Sequence, residues 1–109
     1  MARNQHSGTR LVNAPMPFEE LNITETIDAR KLLMLVTVAE EKTLASAACR
    51  MNLTRSALSH GLKALEEEMG CSLFARAQGV LALSPKGYEL LEHARMILKL
   101  MHVARMSLR

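Results

Sequence analysis

A chain of 109 residues, 49% hydrophobic and 23% charged, has room for one small domain with an appended helix, which excludes a two-domain enzyme. The apolar content is that of a folded protein and excludes wholesale disorder, and no run approaches the roughly 18 apolar residues that span a bilayer. Fourteen Lys and Arg against eleven Asp and Glu leave a formal charge of +3, a weak hint of a polyanionic partner.

The charge is unevenly placed. Residues 1–25 hold two basic and three acidic side chains, whereas residues 26–109 hold twelve basic against eight acidic. The positive excess therefore belongs to the part that reads as folded. Residues 1–25 contain Gly8, Pro15 and Pro17 without a sustained period and read as a flexible tail, with Phe18 and Leu21 as candidates for an apolar contact on the body. The first residues lack the apolar segment of a signal peptide, so a soluble, cytoplasmic protein is expected. Cys49 and Cys71, with no CxxC and no neighbouring His pair, read as two buried reduced thiols rather than a disulfide or a metal site.

The first helix is predicted from Ile27 to Lys42, with Asp28 or Thr26 as its cap. Leu32 to Ala39 is apolar enough for a buried strand, and Val36, Thr37 and Val38 are β-branched. The helix-forming flanks, Asp-Ala-Arg-Lys and Ala-Glu-Glu-Lys, extend the segment past strand length and decide for helix. A short second helix runs from Leu44 to Met51 behind Thr43, and its Ala45, Ala47 and Ala48 let another helix approach closely. Asn52 tolerates a left-handed backbone, so a tight turn is expected there.

Thr54 caps a third helix, Arg55 to Met69, which stops at Gly70. Leu58, Leu62, Leu65 and Met69 recur every three or four residues and form a narrow apolar stripe. Ser56, Ser59, His60 and Lys63 fall on the other side, so the two faces separate cleanly. Gly61 inside this helix costs roughly 1 kcal/mol relative to Ala, which close packing would explain. After Gly70 the period shortens: Ser72–Arg76 and Val80–Leu83, joined by Ala77-Gln78-Gly79, fit a small hairpin.

Ser84-Pro85 then opens a last helix with no stop signal before Arg109, roughly 37 Å long at 1.5 Å per residue. Leu90, Ala94, Ile97, Met101, Ala104 and Leu108 recur with a seven-residue period, the pattern of a helix that supercoils with a second copy. Leu91 and Leu98 lie on a neighbouring stripe suited to packing on its own domain. His93 and His102 are too far apart on the helix to hold one ion, so no metal site is expected.

Two short helices joined by a tight turn, then a hairpin and another helix, describe a mainly α winged helix-turn-helix with a two-strand wing and a long dimerisation helix. The major groove of DNA admits one α-helix propped by a second. The reading helix is Arg55–Met69. Its first half is acid-free and its N-terminus attracts phosphate, whereas Glu66, Glu67 and Glu68 repel it. Arg55, Ser56, Ser59 and His60 are candidates for base edges. Thr54, Lys63, Arg76, Ser84 and Lys86 are candidates for phosphate.

Ala47-Ala48, Thr54, Ser59, Leu65-Glu66, Gly70, Leu73-Phe74-x-Arg76 and Leu83-Ser84-x-x-Gly87 together resemble the N-terminal DNA-binding domain of LysR-type transcriptional regulators. The resemblance covers about residues 28–109. It implies a winged helix-turn-helix over residues 26–84, dimerisation through a linker helix over residues 85–109, and binding of an interrupted palindrome in double-stranded DNA near promoters. It also implies base contacts from the positions of Arg55, Ser56, Ser59 and His60. Members commonly carry Gln-Pro where Arg55-Ser56 stand, so base preference does not carry over. The wing tip lacks the basic residues often found there. Such regulators continue into α/β subdomains that bind a small effector; the chain ends where these would begin, so no effector site is expected within it.

No glycine-rich phosphate loop, no HExxH and no Ser or Cys with an evident His partner is present, so neither catalysis, a cofactor nor a pocket is expected. The competing reading is a winged-helix module whose outer face pairs with another regulator. The modest charge and the weakly basic wing suit that reading; the acid-free first half of the third helix suits DNA.

Overall fold

The computed structural model describes residues 15–22, 26–77 and 80–109. The predicted tail before Pro15 and the wing tip, Gln78-Gly79, lie outside the described residues. The elements are α1 (Ala29–Glu41), α2 (Leu44–Arg50), α3 (Arg55–Met69), strands β1 (Phe74–Ala77) and β2 (Val80–Leu83), and α4 (Pro85–Ser107), preceded by a 3-10 turn at Phe18–Glu20. No helix among the described residues is long and apolar enough to cross a membrane.

Each helix opens on a side-chain cap. Asp28 accepts from the Arg30 N–H at 2.9 Å, Thr43 from Ser46 at 3.1 Å, Thr54 from Ala57 at 3.0 Å and Ser84 from Gly87 at 3.0 Å. Such a cap typically stabilises a helix by about 1 kcal/mol. The turns behave as the residue types predict at Asn52 (φ 57°) and Gly70 (φ 71°). Lys42 also adopts a left-handed backbone (φ 71°), letting its N–H reach the Val38 carbonyl at 2.8 Å and close α1. Nothing in its residue type announces that conformation.

The apolar run of α1 is buried on two sides. Leu32 and Leu35 join Leu65, Leu73, Leu90, Leu91 and Ala94 in one cluster. Met34 and Val38 join Ala47, Ala48, Leu58 and Leu62 in the other. A half-polar helix could not do both, which explains why the sequence here looks strand-like. Ala47 and Ala48 are almost wholly buried, as expected for a thin helix face against α1 and α3. Gly61 faces Met34, whose Sδ occupies the space a Cβ would need, so its helix penalty coincides with close packing of α3 on α1.

The strands pair antiparallel with Phe74 opposite Leu83 and Ala77 opposite Val80. The first strand starts two residues later than predicted because Ser72 and Leu73 are engaged elsewhere. Leu73 is 1% exposed in the core, and its carbonyl accepts from the Ser84 N–H at 2.9 Å. The Ser84 hydroxyl donates to the Ser72 carbonyl at 2.7 Å. Gly87 sits against this junction, where a Cβ would collide with the Leu73 carbonyl oxygen.

Three expectations are corrected. Phe18 is 84% exposed and Leu21 57%, and neither is among the residues packed against the described core clusters. Cys49 is exposed and Cys71 only half-buried, both as free thiols; Cys49 lies on the outer side of α2 because Ala47 and Ala48 take the inner one. Met69 stays 37% exposed although it continues the Leu58-Leu62-Leu65 stripe, because the chain turns away at Gly70.

Gly87→Ala should destabilise the domain by roughly 1–3 kcal/mol, since backbone rather than a flexible side chain must yield. That amounts to several degrees or more in melting temperature, read by thermal denaturation; an unchanged melting temperature would contradict the tight junction.

Candidate nucleic-acid interface

The helix that sequence reasoning singled out is held from three directions. Leu58, Leu62 and Leu65 anchor one face of α3 in the core. Its outer face presents Thr54, Arg55, Ser56, His60 and Lys63 as exposed residues, with Ser59 half-buried at the edge. The side chains of Arg55, Ser56, Ser59, His60 and Lys63 make no hydrogen bond or ion pair among the described residues. Thr54 is partly engaged: its oxygen accepts from Ala57, while its hydroxyl proton remains available to an acceptor such as phosphate.

The acidic half of α3 has duties that the charge pattern concealed. A Glu66 carboxylate oxygen accepts from the backbone N–H groups of Leu73 at 2.8 Å and Phe74 at 3.2 Å, fastening the end of α3 to the start of the wing. Glu68 pairs with Lys31 of α1 at 3.6 Å. Two of the three acids predicted only to repel phosphate therefore brace α3.

Of the predicted phosphate contacts, Lys63 and Lys86 are exposed. Ser84 is corrected: its only proton goes to the Ser72 carbonyl while its oxygen accepts from Gly87, leaving no donor for a phosphate. Arg76 lies on β1 opposite Leu81, and its side chain lies outside the described residues.

The predicted dimer seam divides. Leu90 at 7% exposure and Ala94 at 0% lie in the core of their own chain, because the first half of α4 covers Leu32 and Leu35. These two are corrected from interface to core, whereas Leu91, on the neighbouring stripe, packs on its own domain as its position suggested. Farther along, Ile97 is 38% exposed, Met101 51% and Leu108 88%, and Ala104 is exposed as well. α4 outruns the body it packs on.

A pocket that the sequence did not announce lies between the end of α1, the wing and α4. This open cleft of about 870 Å³ is lined by Val38, Lys42, Phe74, Leu81, Tyr88 and Arg95 among others. Among the described residues, no three His, Cys, Asp or Glu side chains gather as metal ligands. A brace at the end of α1 was also missed in the sequence. Arg50, at the end of α2, contacts Glu40 at 3.0 Å and Glu41 at 2.9 Å, and Ser46 donates to Glu41. The sequence signal was there: a lone Arg at the end of one helix and two adjacent Glu at the end of the helix before it.

Residues 29–88 match the model of the bacterial regulatory helix-turn-helix proteins of the lysR family. The chain belongs to the LysR family. The LysR-family match spans more than half of the chain and includes α1–α3, the wing and the start of α4. The HTH-type transcriptional regulator AlsR of Bacillus subtilis is 39% identical over 72 residues, 66% of this chain and 24% of that relative. The matched segment thus spans about a quarter of that relative's length. Among solved structures, the CbnR DNA-binding domain in complex with DNA superposes with a TM-score of 0.68 at 30% identity, covering 76% of this chain and 100% of that one. The BenM DNA-binding domain bound to its benA site 1 DNA gives 0.67 at 26%, covering 74% and 95%. The fold is the winged helix of LysR DNA-binding domains.

The Ser46 hydroxyl, and after it the Arg50 guanidinium, hold the Glu41 carboxyl below the usual carboxylate range. A depressed folded-state value means the ionised form favours folding; the contribution is present above the ordinary carboxylate value and is lost as pH falls through the folded one. Glu41→Gln should therefore lower stability at neutral pH, with the difference from the parent shrinking below about pH 4; denaturant titrations at pH 7 and pH 3 read it.

Proposed function

We propose that this chain binds double-stranded DNA as a dimer, laying the first turns of α3 in the major groove at two half-sites of an interrupted palindrome, and so regulates transcription. The observation that carries this reading is the outer face of α3. It is polar, free of acids through Lys63, uncommitted to other residues, and backed by a buried leucine stripe. Two solved structures that share this fold, those of the CbnR and BenM DNA-binding domains, are complexes with DNA.

The roles follow from side-chain chemistry. Arg55 reaches a guanine edge or a flanking phosphate, and Ser56, Ser59 and His60 meet base edges. Thr54, Lys63, Arg76 and Lys86 take phosphate, with the helix N-terminus adding its own attraction. The exposed distal part of α4, carrying Ile97, Met101, Ala104 and Leu108, joins two copies so that each presents one α3.

With about four phosphates contacted per subunit, log affinity should fall against log salt with a slope near −7 for the dimer. Lys63→Ala should weaken all sequences alike and flatten that slope by about 1 per subunit, whereas Ser59→Ala or His60→Ala should chiefly relax sequence preference. Selection from a random DNA pool, followed by salt titration of the selected site, reads all three; a salt-independent affinity would favour a protein-pairing module. Ile97→Lys with Met101→Lys should give monomers that bind full palindromes poorly, measured by sedimentation and by titration with labelled DNA.

A further inference from the structure

Three exposed apolar side chains stand close together in the chain ahead of α1. Met16 is 52% exposed, Phe18 84% and Leu21 57%. They are carried on a formed turn, in which the Glu20 N–H donates to the Pro17 carbonyl at 2.9 Å and the Leu21 N–H to the Phe18 carbonyl at 3.1 Å. Pro15 and Pro17 restrict the backbone on the approach to it, so less chain entropy is lost on docking. Residues 11–28 also hold four acids, Glu19, Glu20, Glu25 and Asp28, and no Lys or Arg, whereas residues 29–109 hold twelve basic against seven acidic side chains. An acidic arm with an aromatic tip therefore precedes the family match, which begins at residue 29.

The cleft between the end of α1, the wing and α4 has the complementary chemistry. Its floor is apolar, built from the buried Val38 and Leu91 and the half-buried Phe74, Leu81 and Leu83. Lys42, Tyr88 and Arg95 stand exposed at its rim. Neither cationic side chain has a hydrogen-bond or ion-pair partner among the described residues. Glu89 and Glu92 share the α4 wall, but beyond Arg95 that helix carries Lys99, Arg105 and Arg109 with no acid. Carboxylates are therefore drawn to the Arg95 end of the wall. The volume of about 870 Å³ lies within the range of ligand-holding clefts. None of the arm residues lines the cleft of its own chain.

We infer that the cleft receives the Met16–Leu21 segment of a second copy, with Phe18 on the apolar floor beside Tyr88 and with Glu19 and Glu20 toward Lys42 and Arg95. The aromatic pair adds to the gain from apolar burial. At 100° per residue, Tyr88, Glu92 and Arg95 lie on the opposite side of α4 from Ile97, Met101, Ala104 and Leu108. The contact therefore leaves the exposed distal seam free and does not depend on dimerisation through α4. One arm and one cleft per chain make it a head-to-tail contact, able to join copies that α4 has already paired. Under the DNA-binding reading, pairs linked in this way would occupy neighbouring sites cooperatively.

Sedimentation velocity of the full chain and its variants, over a range of concentrations at low salt, tests the contact. The parent should form species larger than the Phe18→Asp chain does. Phe18→Asp, and separately Lys42→Glu with Arg95→Glu, should each raise the concentration needed for this association at least tenfold. Helix content by circular dichroism should stay unchanged, because all three positions are exposed. The first variant keeps its cleft and the second its arm, so an equal mixture should associate again. Adding Glu19→Lys and Glu20→Lys to the cleft variant should likewise restore association. A parent that sediments no larger than Phe18→Asp at every concentration overturns the proposal, and so does one whose arm seats in its own cleft without association. A mixture that stays apart overturns the pairing of arm with cleft. Neither failure touches the DNA-binding reading, which the salt titration tests by itself.

Discussion

Helix α1 has to bury two apolar faces at once, and the placement of every other helix follows from that. Leu32 and Leu35 hold the cluster that includes α4, while Met34 and Val38 hold the one that includes α2. α3 contributes to both, Leu65 to the first and Leu58 and Leu62 to the second, so its tilt is set by two contacts rather than one. Truncating a buried leucine of this kind typically costs 2–5 kcal/mol, several times the value of any cap or surface ion pair here. The core therefore determines where α3 points, and the polar contacts refine it.

Those refinements gather where elements change direction. Glu66 fastens the end of α3 to the wing, and the Ser84 hydroxyl and backbone join the wing to α4. Gly87 permits the close approach on which that joint depends. Arg50 ties the end of α2 back to the end of α1. Together they hold the helix pair and the wing as one surface, with the outer face of α3 left open. An interface that reads base edges needs such stiffness, because contacts to a groove wall are lost if the helix rocks.

Much of the fold was legible because it rests on local chemistry. The bounds of α3 agree with the sequence reading at both ends, since Thr54 is a strong cap and Gly70 a strong stop. Asn52, Thr43 and Ser84-Pro85 acted for the same reason. The polar face of α3 was legible from helical periodicity alone; that its side chains are uncommitted was not. What misled was everything requiring a second surface. Leu90 and Ala94 fit a seven-residue repeat as well as Ile97 and Met101 do, and only the position of α1 separates core from exposed seam. Ser84 looked like a phosphate donor because a hydroxyl's partner cannot be seen in a linear string. Cys49 looked buried because cysteines usually are, yet two alanines had already taken the inner side of its helix.

By itself, the sequence determined the order and kind of the elements, their N-caps, the stop at Gly70 and the polar side of α3, because these depend on neighbours one to four residues away. Tertiary structure alone decided which apolar residues α4 shares with its own body, which acids brace rather than repel, and which hydroxyls are already occupied. Those outcomes depend on groups brought together from distant positions such as Glu66 and Leu73 or Lys31 and Glu68, and helical or strand periodicity carries no record of such pairings.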